Sequence, residues 1–289
     1  MAVRVALASA VVMVAGAMGA PVAAHEGPSL VLSAARTGTA SDARPAPALA
    51  TSTRPCTKGL VALTFDDGPA RGLTAKLVRI LRDRHVPATF FMVGSRVHTA
   101  PRAARLVARD GFTIGNHTWS HAHLTRLTDR GVRTEIRRTA RELRHNGIHP
   151  STLMRPPYGD VDDRVRNDVR ALGLVPVLWT VDSNDWRGGS TRQIADSILG
   201  QLRPHRTNVV LQHDGVTNSP ASVAAVPRVV KVARHRGYCF AALGPHGHPR
   251  LPVAATVAAP AEAEVEPTVQ DPVVFGSPVD VVIARADGA

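Results

Sequence analysis

The chain is poor in aromatic residues, which make up 4% of its 289 residues as three Trp, two Tyr and six Phe. Proteins that bind single-stranded nucleic acid stack its bases on aromatic side chains. The formal charge of +12 is therefore the only argument for a nucleic-acid partner, and we expect none. If the chain is exported, its positive charge instead fits anionic cell-wall polymers.

Long apolar runs are absent after the first 24 residues. Residues 5–18 are small and apolar, Arg4 precedes them, and the segment 21–24 resembles a small-residue cleavage site. This pattern predicts a signal peptide over residues 1–24. An uncleaved membrane anchor is the alternative, although the apolar run is short for crossing a bilayer. We expect a secreted protein, extracellular or associated with the cell wall.

Cysteine is limited to Cys56 and Cys239. Export brings a chain into an oxidising compartment, which favours a disulfide. Cys56 precedes the first predicted strand and Cys239 lies in the last, and these strands become neighbours if the sheet closes into a barrel. We expect the two residues to be bonded, with two buried free thiols as the alternative.

The rest of the chain divides into three parts. Residues 25–55 are rich in Ala, Ser, Thr and Pro, which predicts a disordered lead-in. Residues 56–246 form one predicted folded domain, and residues 247–289 form a tail or linker rich in Ala, Pro and Val. This length suits a single α/β domain, and we expect a monomer.

Apolar runs alternate with helical patterns through the folded part. Thr74, Pro101, Thr128 and Ser190 are expected near helix starts. The strands are predicted at 60–65, 88–93, 112–116, 151–155, 174–181, 208–212 and 238–243. Strand–helix alternation indicates an α/β fold with parallel strands. Seven units predict a distorted (β/α)7-8 barrel, flanked by disordered tails.

Polar motifs follow five of these strands. In parallel α/β barrels the C-terminal ends of the strands build the active site, so the five motifs are expected to meet at one face. They are Asp66-Asp67, His117 to His121, Arg155 to Gly159, Asp182 to Trp186, and His213-Asp214.

The first two motifs together predict a metal site. Adjacent Asp66 and Asp67 repel each other unless something such as a cation holds them. His117 and His121 are four residues apart, which would place them on one face of a helical turn where they can share an ion. One carboxylate and two imidazoles leave positions open for water and substrate, as in catalytic zinc sites. An isolated histidine pair of this spacing is more often a surface pair, so the prediction depends on the other motifs.

Over about residues 58–243 the motifs resemble those of the polysaccharide deacetylase family, the NodB-homology domain of carbohydrate esterase family 4. The resemblance implies a distorted barrel that removes acetyl groups from aminosugar polymers with one divalent metal ion, zinc being expected and cobalt the alternative. The matching runs follow the family's order: Thr64-Phe65-Asp66-Asp67-Gly68, His117-xxx-His121, Arg155-Pro156-Pro157-Tyr158-Gly159, Asp182-xx-Asp185-Trp186 and Leu211-x-His213.

The resemblance implies roles for the matching residues. Asp67, His117 and His121 would hold the metal. Asp66 would act as general base toward the water that the metal activates, and Arg155 would orient it. From the residues alone, either aspartate could be the base and the other the ligand.

Further roles follow from the remaining motifs. His213 would be the general acid, kept charged by Asp185, although a lone histidine there would more often be a satisfied core residue. The backbone N–H of Tyr158 would stabilise the oxyanion. Trp186 and Leu211 would line a small pocket for the acetyl methyl group, with plain core packing as the alternative.

The expected substrates are polysaccharides. An exported N-deacetylase of N-acetylglucosamine polymers, either chitin oligomers or peptidoglycan, is the leading hypothesis. An O-deacetylase of acetylated xylan is the alternative, because the same attack by water hydrolyses esters. A non-catalytic cell-wall carbohydrate-binding protein is the competing class, and Asp66 and His213 argue against it because a binder needs neither.

Overall fold

The structure is a computed structural model, and it describes residues 56–251. The predicted signal peptide, the lead-in and nearly all of the predicted tail lie outside these residues. Within the described part, none of the helices combines the length and the apolar character needed to cross a bilayer.

Ten strands and seven helices make up the described part, together with three short 3₁₀ turns. The strands are β1 (Gly59–Asp66), β2 (Ala88–Met92), β3 (Thr113–Asn116), β4 (Leu153–Met154), β5 (Val175–Pro176), β6 (Val181–Asp182), β7 (Asn208–His213), β8 (Tyr238–Phe240), β9 (Ala242–Leu243) and β10 (Pro249–Arg250). The helices are α1 (Leu73–Asp83), α2 (Gly94–Thr99), α3 (Pro101–Arg109), α4 (Asp129–His145), α5 (Asp163–Ala171), α6 (Thr191–Gln201) and α7 (Ser219–His235).

The main sheet is parallel and has the order β5-β4-β3-β2-β1-β7-β6, with β8 also paired to β1. This parallel sheet with helices between its strands confirms the predicted distorted α/β barrel. β9 and β10 form a separate antiparallel pair, so ordered pairing continues past residue 246 to Arg250.

The first and last strands of the main sheet along the chain, β1 and β8, lie side by side. Leu60 of β1 is opposite Cys239 of β8, and Cys56 lies just ahead of β1. The two cysteines are bonded, with their Cα atoms 5.3 Å apart. The predicted disulfide is therefore present.

The single strand predicted at 174–181 is wrong. Its first part, β5, pairs with β4, and its last part, β6, pairs with β7. These are the two outer positions of the sheet, so the segment crosses from one edge of the sheet to the other. Residues 177–180 between them cannot follow one neighbour, because the backbone N–H of Val177 bonds the carbonyl of Met154 whereas that of Thr180 bonds the carbonyl of Val209.

The two-residue period of β1 sorts its side chains between two surroundings. Val61, Leu63 and Phe65 belong to the large core cluster that the helices cover. Ala62 faces the other way, into a smaller cluster inside the barrel. Thr64 and Asp66 continue this inner face, which is why a carboxylate arrives inside the barrel at the end of an apolar strand.

The helix starts agree only in part with the prediction. Thr128 and Ser190 cap α4 and α6, and Pro101 occupies the first turn of α3. The cap predicted at Thr74 is wrong, because α1 starts at Leu73 and Thr74 directs its hydroxyl to Asp214 instead. α2 was not predicted, since its six residues are too short to show a helical period.

Candidate active site

The two aspartates at the end of β1 point to different partners. Asp66 Oδ1 accepts a hydrogen bond from Arg155 at 2.8 Å. Asp67 has a left-handed φ of 68°, which turns the chain and directs its carboxylate toward His117 and His121. The backbone conformation therefore separates two charges that the sequence places side by side, at the cost of local strain of about 1–2 kcal/mol.

The two histidines of the second motif meet without a helix, so the predicted helical turn is wrong. The structure places residues 117–121 in a loop after β3. Left-handed conformations at Thr118 (φ 62°) and His121 (φ 59°) fold the loop back on itself. The two imidazole centroids lie 4.9 Å apart as a result. Glu135 of α4 holds the loop by accepting the backbone N–H groups of Trp119 and Ser120 at 2.9 and 2.7 Å.

Asp67, His117 and His121 form a group that fits a metal ion. One ligand atom from each lies within 4.8 Å of the others. Asp67 Oδ1 is 3.0 Å from Nε2 of His121 and 3.4 Å from Nε2 of His117. That oxygen is buried and accepts no hydrogen bond from any described residue, which is costly for a carboxylate that has no cation.

The protonation of these groups agrees with metal binding. His117 Nδ1 donates to the carbonyl of Arg155 at 2.7 Å, which leaves the Nε2 lone pair directed at Asp67, as second-shell contacts do for ligand histidines. Burial alone would raise the pKa of Asp67. The close approach and charge of His117 and His121 outweigh burial and hold the pKa of Asp67 well below its usual range.

Arg155 is fully buried and fixes Asp66. Its guanidinium donates to Asp66 Oδ1 at 2.8 Å and to the hydroxyl of Thr64 at 2.7 Å. It also bonds the carbonyls of Val177 and Leu178, at 3.2 and 3.1 Å, in the segment that crosses between the sheet edges. Burial lowers the pKa of Arg155 and the Asp66 carboxylate opposes that shift. This buried, multiply bonded pair holds Asp66 in one orientation.

Asp185 and His213 form the second charged pair of the site. Asp185 Oδ1 is 2.6 Å from His213 Nδ1, and its Oδ2 accepts the backbone N–H of His213 at 2.8 Å. Burial alone lowers the pKa of His213, but the hydrogen bond and charge of Asp185 outweigh it and raise that pKa to about 9. His213 therefore carries a proton at neutral pH, with its Nε2–H left to donate elsewhere.

The remaining predicted site residues lie beside these pairs. Tyr158 adopts a left-handed φ of 62° in the turn after β4, and its backbone N–H bonds no other residue in the described part. Tyr158 is 59% exposed, and Trp186, directly after Asp185, is 51% exposed. Leu211 is buried in β7, two residues before His213. A joint acetyl pocket of Trp186 and Leu211 stays a prediction.

Sequence reasoning missed the structural role of Asp214, a buried residue that contacts the chain around Asp66 and Gly68. Asp214 is fully buried, and its Oδ2 accepts the hydroxyl of Thr74 at 2.5 Å. Its backbone N–H bonds the carbonyl of Asp66 at 3.1 Å. A Cβ on Gly68 would lie 2.3 Å from Asp214 Oδ1, so only glycine fits there. The position of Asp214 directly after His213 was the available signal.

Sequence reasoning also assigned no role to His123. The structure places its ring against Tyr158, with centroids 4.0 Å apart and planes 13° apart. Its spacing of two residues from His121 gave no sign of this contact, because the partner comes from a different loop.

Comparison with known proteins agrees with this geometry. The profile of the polysaccharide deacetylase family matches residues 53–177. A peptidoglycan-N-acetylglucosamine deacetylase of Bacillus cereus is 33% identical over 190 residues, 65% of this chain and 68% of that protein. A bifunctional xylanase/xylan deacetylase of Cellvibrio japonicus is 36% identical over 193 residues, which are 65% of this chain but only 28% of that protein.

A solved structure has a similar fold. The family 4 carbohydrate esterase from Streptomyces lividans, determined in complex with acetate, is 33% identical, with a TM-score of 0.62, and the match covers 68% of this chain and all of that one. The chain therefore belongs to the polysaccharide deacetylase family, also called carbohydrate esterase family 4, and is a hydrolase of that class.

Proposed function

We propose that the chain is a metal-dependent N-deacetylase of polymers that contain N-acetylglucosamine. The observation that carries the proposal is the buried Asp67 oxygen between two imidazole nitrogens, flanked by one carboxylate fixed by an arginine and one histidine fixed by a carboxylate. That arrangement supplies a cation site, a base and an acid within one set of strand ends.

Asp67, His117 and His121 would hold one divalent ion, which we propose to be zinc because the donors are one oxygen and two nitrogens. Such an ion lowers the pKa of water and polarises an acyl oxygen. Asp66 takes the proton of the attacking water. Because Arg155 holds Asp66 Oδ1, Oδ2 is the oxygen that remains to accept this proton.

His213 supplies the proton that the leaving amine requires. An amide nitrogen cannot leave as an anion, so the acid must be protonated when the C–N bond breaks. Asp185 keeps that proton on His213 and fixes the ring through Nδ1, so Nε2–H is the donor to the amine. The free backbone N–H of Tyr158 donates to the acyl oxygen as negative charge develops on it.

The preference for N-acetylglucosamine polymers rests on the relative from Bacillus cereus, whose name states peptidoglycan N-acetylglucosamine. We extend it to chitin oligomers, which carry the same aminosugar. The xylan deacetylase relative keeps an O-deacetylase of acetylated xylan as the alternative. An exported location, with the anionic polymers of a cell wall as neighbours, completes the proposal and draws on the N-terminal pattern and the net charge of +12.

The test is acetate release from three substrates by the full chain. Chitopentaose, purified peptidoglycan and acetylated xylan are compared with zinc present and after chelation. We expect release from one or both of the first two, lost on chelation and restored by zinc. Release from xylan alone would replace the proposal with the esterase, and binding of all three without release would replace it with a carbohydrate-binding protein.

A further inference from the structure

Three residues, His123, Thr125 and Asp160, join the metal-ligand loop to the turn that carries Tyr158, and we call them the clamp. His123 lies two residues after His121, and its ring is stacked on the ring of Tyr158 at 4.0 Å. His123 Nδ1 donates to Asp160 Oδ2 at 3.0 Å, and the hydroxyl of Thr125 donates to the same oxygen at 2.6 Å. Asp160 follows Tyr158 by two residues. The clamp therefore contacts the turn at two places, the ring of Tyr158 and the carboxylate of Asp160.

The turn needs such support because its conformation is strained. Tyr158 and Gly159 both have left-handed φ values, 62° and 67°, and a non-glycine residue pays about 1–2 kcal/mol for that conformation. Tyr158 is 59% exposed, so its ring contacts with His123 and His121, at 4.0 and 4.5 Å, hold it more than burial does. A stacked aromatic pair contributes about 0.5–1.5 kcal/mol, which is comparable with the strain.

We propose that His123 is a positioning residue that fixes the Tyr158 backbone, so that the Tyr158 N–H is held at the orientation the reaction uses. The reactive role of that N–H rests on the proposed function. The effect of His123 on the Tyr158 conformation does not, because it follows from the stacking and the hydrogen bond alone.

The alternative is that the His123–Asp160 contact is an ordinary surface pair. His98 and Glu142 form such a pair elsewhere, at 3.3 Å with the histidine side chain 68% exposed. Within the described residues His98 lies near Glu142 and the ring of Trp119, and no hydrogen bond, ion pair or ring contact joins it to Tyr158 or Asp160. His98→Ala is therefore the matched control for His123→Ala. His123→Phe is the conservative variant, because it keeps a ring to stack on and loses only the hydrogen bond.

The first measurement does not depend on activity. The chain has two tyrosines, so labelling with ¹⁵N-tyrosine gives one amide signal from Tyr158 and one from Tyr238, which is buried in β8 and serves as the reference. In metal-free protein we expect His123→Ala to shift and broaden the Tyr158 signal and leave that of Tyr238 in place. His123→Phe should restore most of the Tyr158 signal, and His98→Ala should move neither.

The second measurement is steady-state acetate release together with zinc content. We expect His123→Ala to lower kcat by about 10- to 100-fold, as a misplaced oxyanion donor does, with KM within about twofold and one zinc ion per chain retained. His123→Phe should recover most of the lost kcat. An unchanged Tyr158 amide signal and an unchanged kcat in His123→Ala would overturn the proposal.

The two measurements separate the possible failures. The Tyr158 ring also contacts the ring of His121, with centroids 4.5 Å apart. Loss of zinc in His123→Ala with an unmoved Tyr158 amide signal would therefore show that His123 supports His121 instead of Tyr158, and would also overturn the proposal. If the wild-type chain releases no acetate from any substrate, the proposed function fails, but a Tyr158 amide that moves only in His123→Ala still supports the clamp.

Discussion

Replacing Asp66 by Asn separates the base from the metal site. The substitution keeps the size of the side chain and removes its charge, whereas Asp67, His117 and His121 are untouched. We expect one zinc ion per chain to remain and acetate release to fall by about 10²- to 10⁴-fold, the range for loss of a general base.

The same substitution also tests the buried ion pair. The side chains of Arg155 and Asp66 are 0% and 3% exposed, so Asp66→Asn leaves a buried guanidinium with only neutral partners. Removal of one member of a buried pair costs about 3–5 kcal/mol of the free energy of unfolding. We expect the lower part of that range, because Thr64 and two carbonyls still accept hydrogen bonds from Arg155.

Three assays on one preparation check this prediction: zinc content, acetate release, and urea unfolding of the metal-free protein. Asp129→Asn is the matched control, since it removes a carboxylate from an exposed pair with Arg164 and should cost less than about 1 kcal/mol. If Asp66→Asn empties the metal site, the roles of Asp66 and Asp67 are exchanged. If the free energy of unfolding falls no further in Asp66→Asn than in Asp129→Asn, the Asp66 charge does not stabilise the buried Arg155.

Four other predictions follow from the Asp185–His213 pair and the disulfide. His213→Ala should spare zinc and slow release from an N-acetylglucosamine oligomer far more than from an activated aryl acetate, because only the amine must be protonated to leave; equal losses would remove the acid role. Asp185→Asn should move the alkaline limb of the pH–rate profile from near pH 9 toward 6.5, since the raised pKa of His213 depends on Asp185; an unmoved limb would contradict this. In the wild type the Asp185–His213 pair stabilises the fold fully below pH 6.5. About 3 kcal/mol of the free energy of unfolding should be lost as the pH rises through about 9. Urea midpoints that do not fall over that pH range would argue against the pair. Replacing both Cys56 and Cys239, which are 183 positions apart in the sequence, by Ser should cost up to about 5 kcal/mol of the free energy of unfolding for a loop of this length. Unchanged unfolding would exclude that contribution.

The strand ends were predictable because two signals coincide there. The apolar run 60–65 is followed directly by the charged pair Asp66-Asp67, and this change predicts the end of β1. The same holds for β7 and His213. Parallel strands then place these residues at one edge of the sheet, so we can expect from the sequence alone that they lie close together.

The local geometry was not predictable, because non-helical turns create it. His117 and His121 have the spacing of a helix but meet through left-handed residues in a loop. The segment 174–181 has the composition of one strand, yet it bridges the two sheet edges and turns two carbonyls toward Arg155. His123 and Asp214 have partners in distant segments, so no short-range pattern reveals their contacts.

The central claim is that a divalent ion at Asp67, His117 and His121 is required for hydrolysis. The most direct test is a titration of chelated, dialysed protein with zinc, in which bound zinc and acetate release from chitopentaose or peptidoglycan are measured on the same samples. We predict that release rises in proportion to bound zinc and levels off at one ion per chain, and that Asp67→Ala neither binds zinc tightly nor releases acetate. Full release by the metal-free protein would contradict the account.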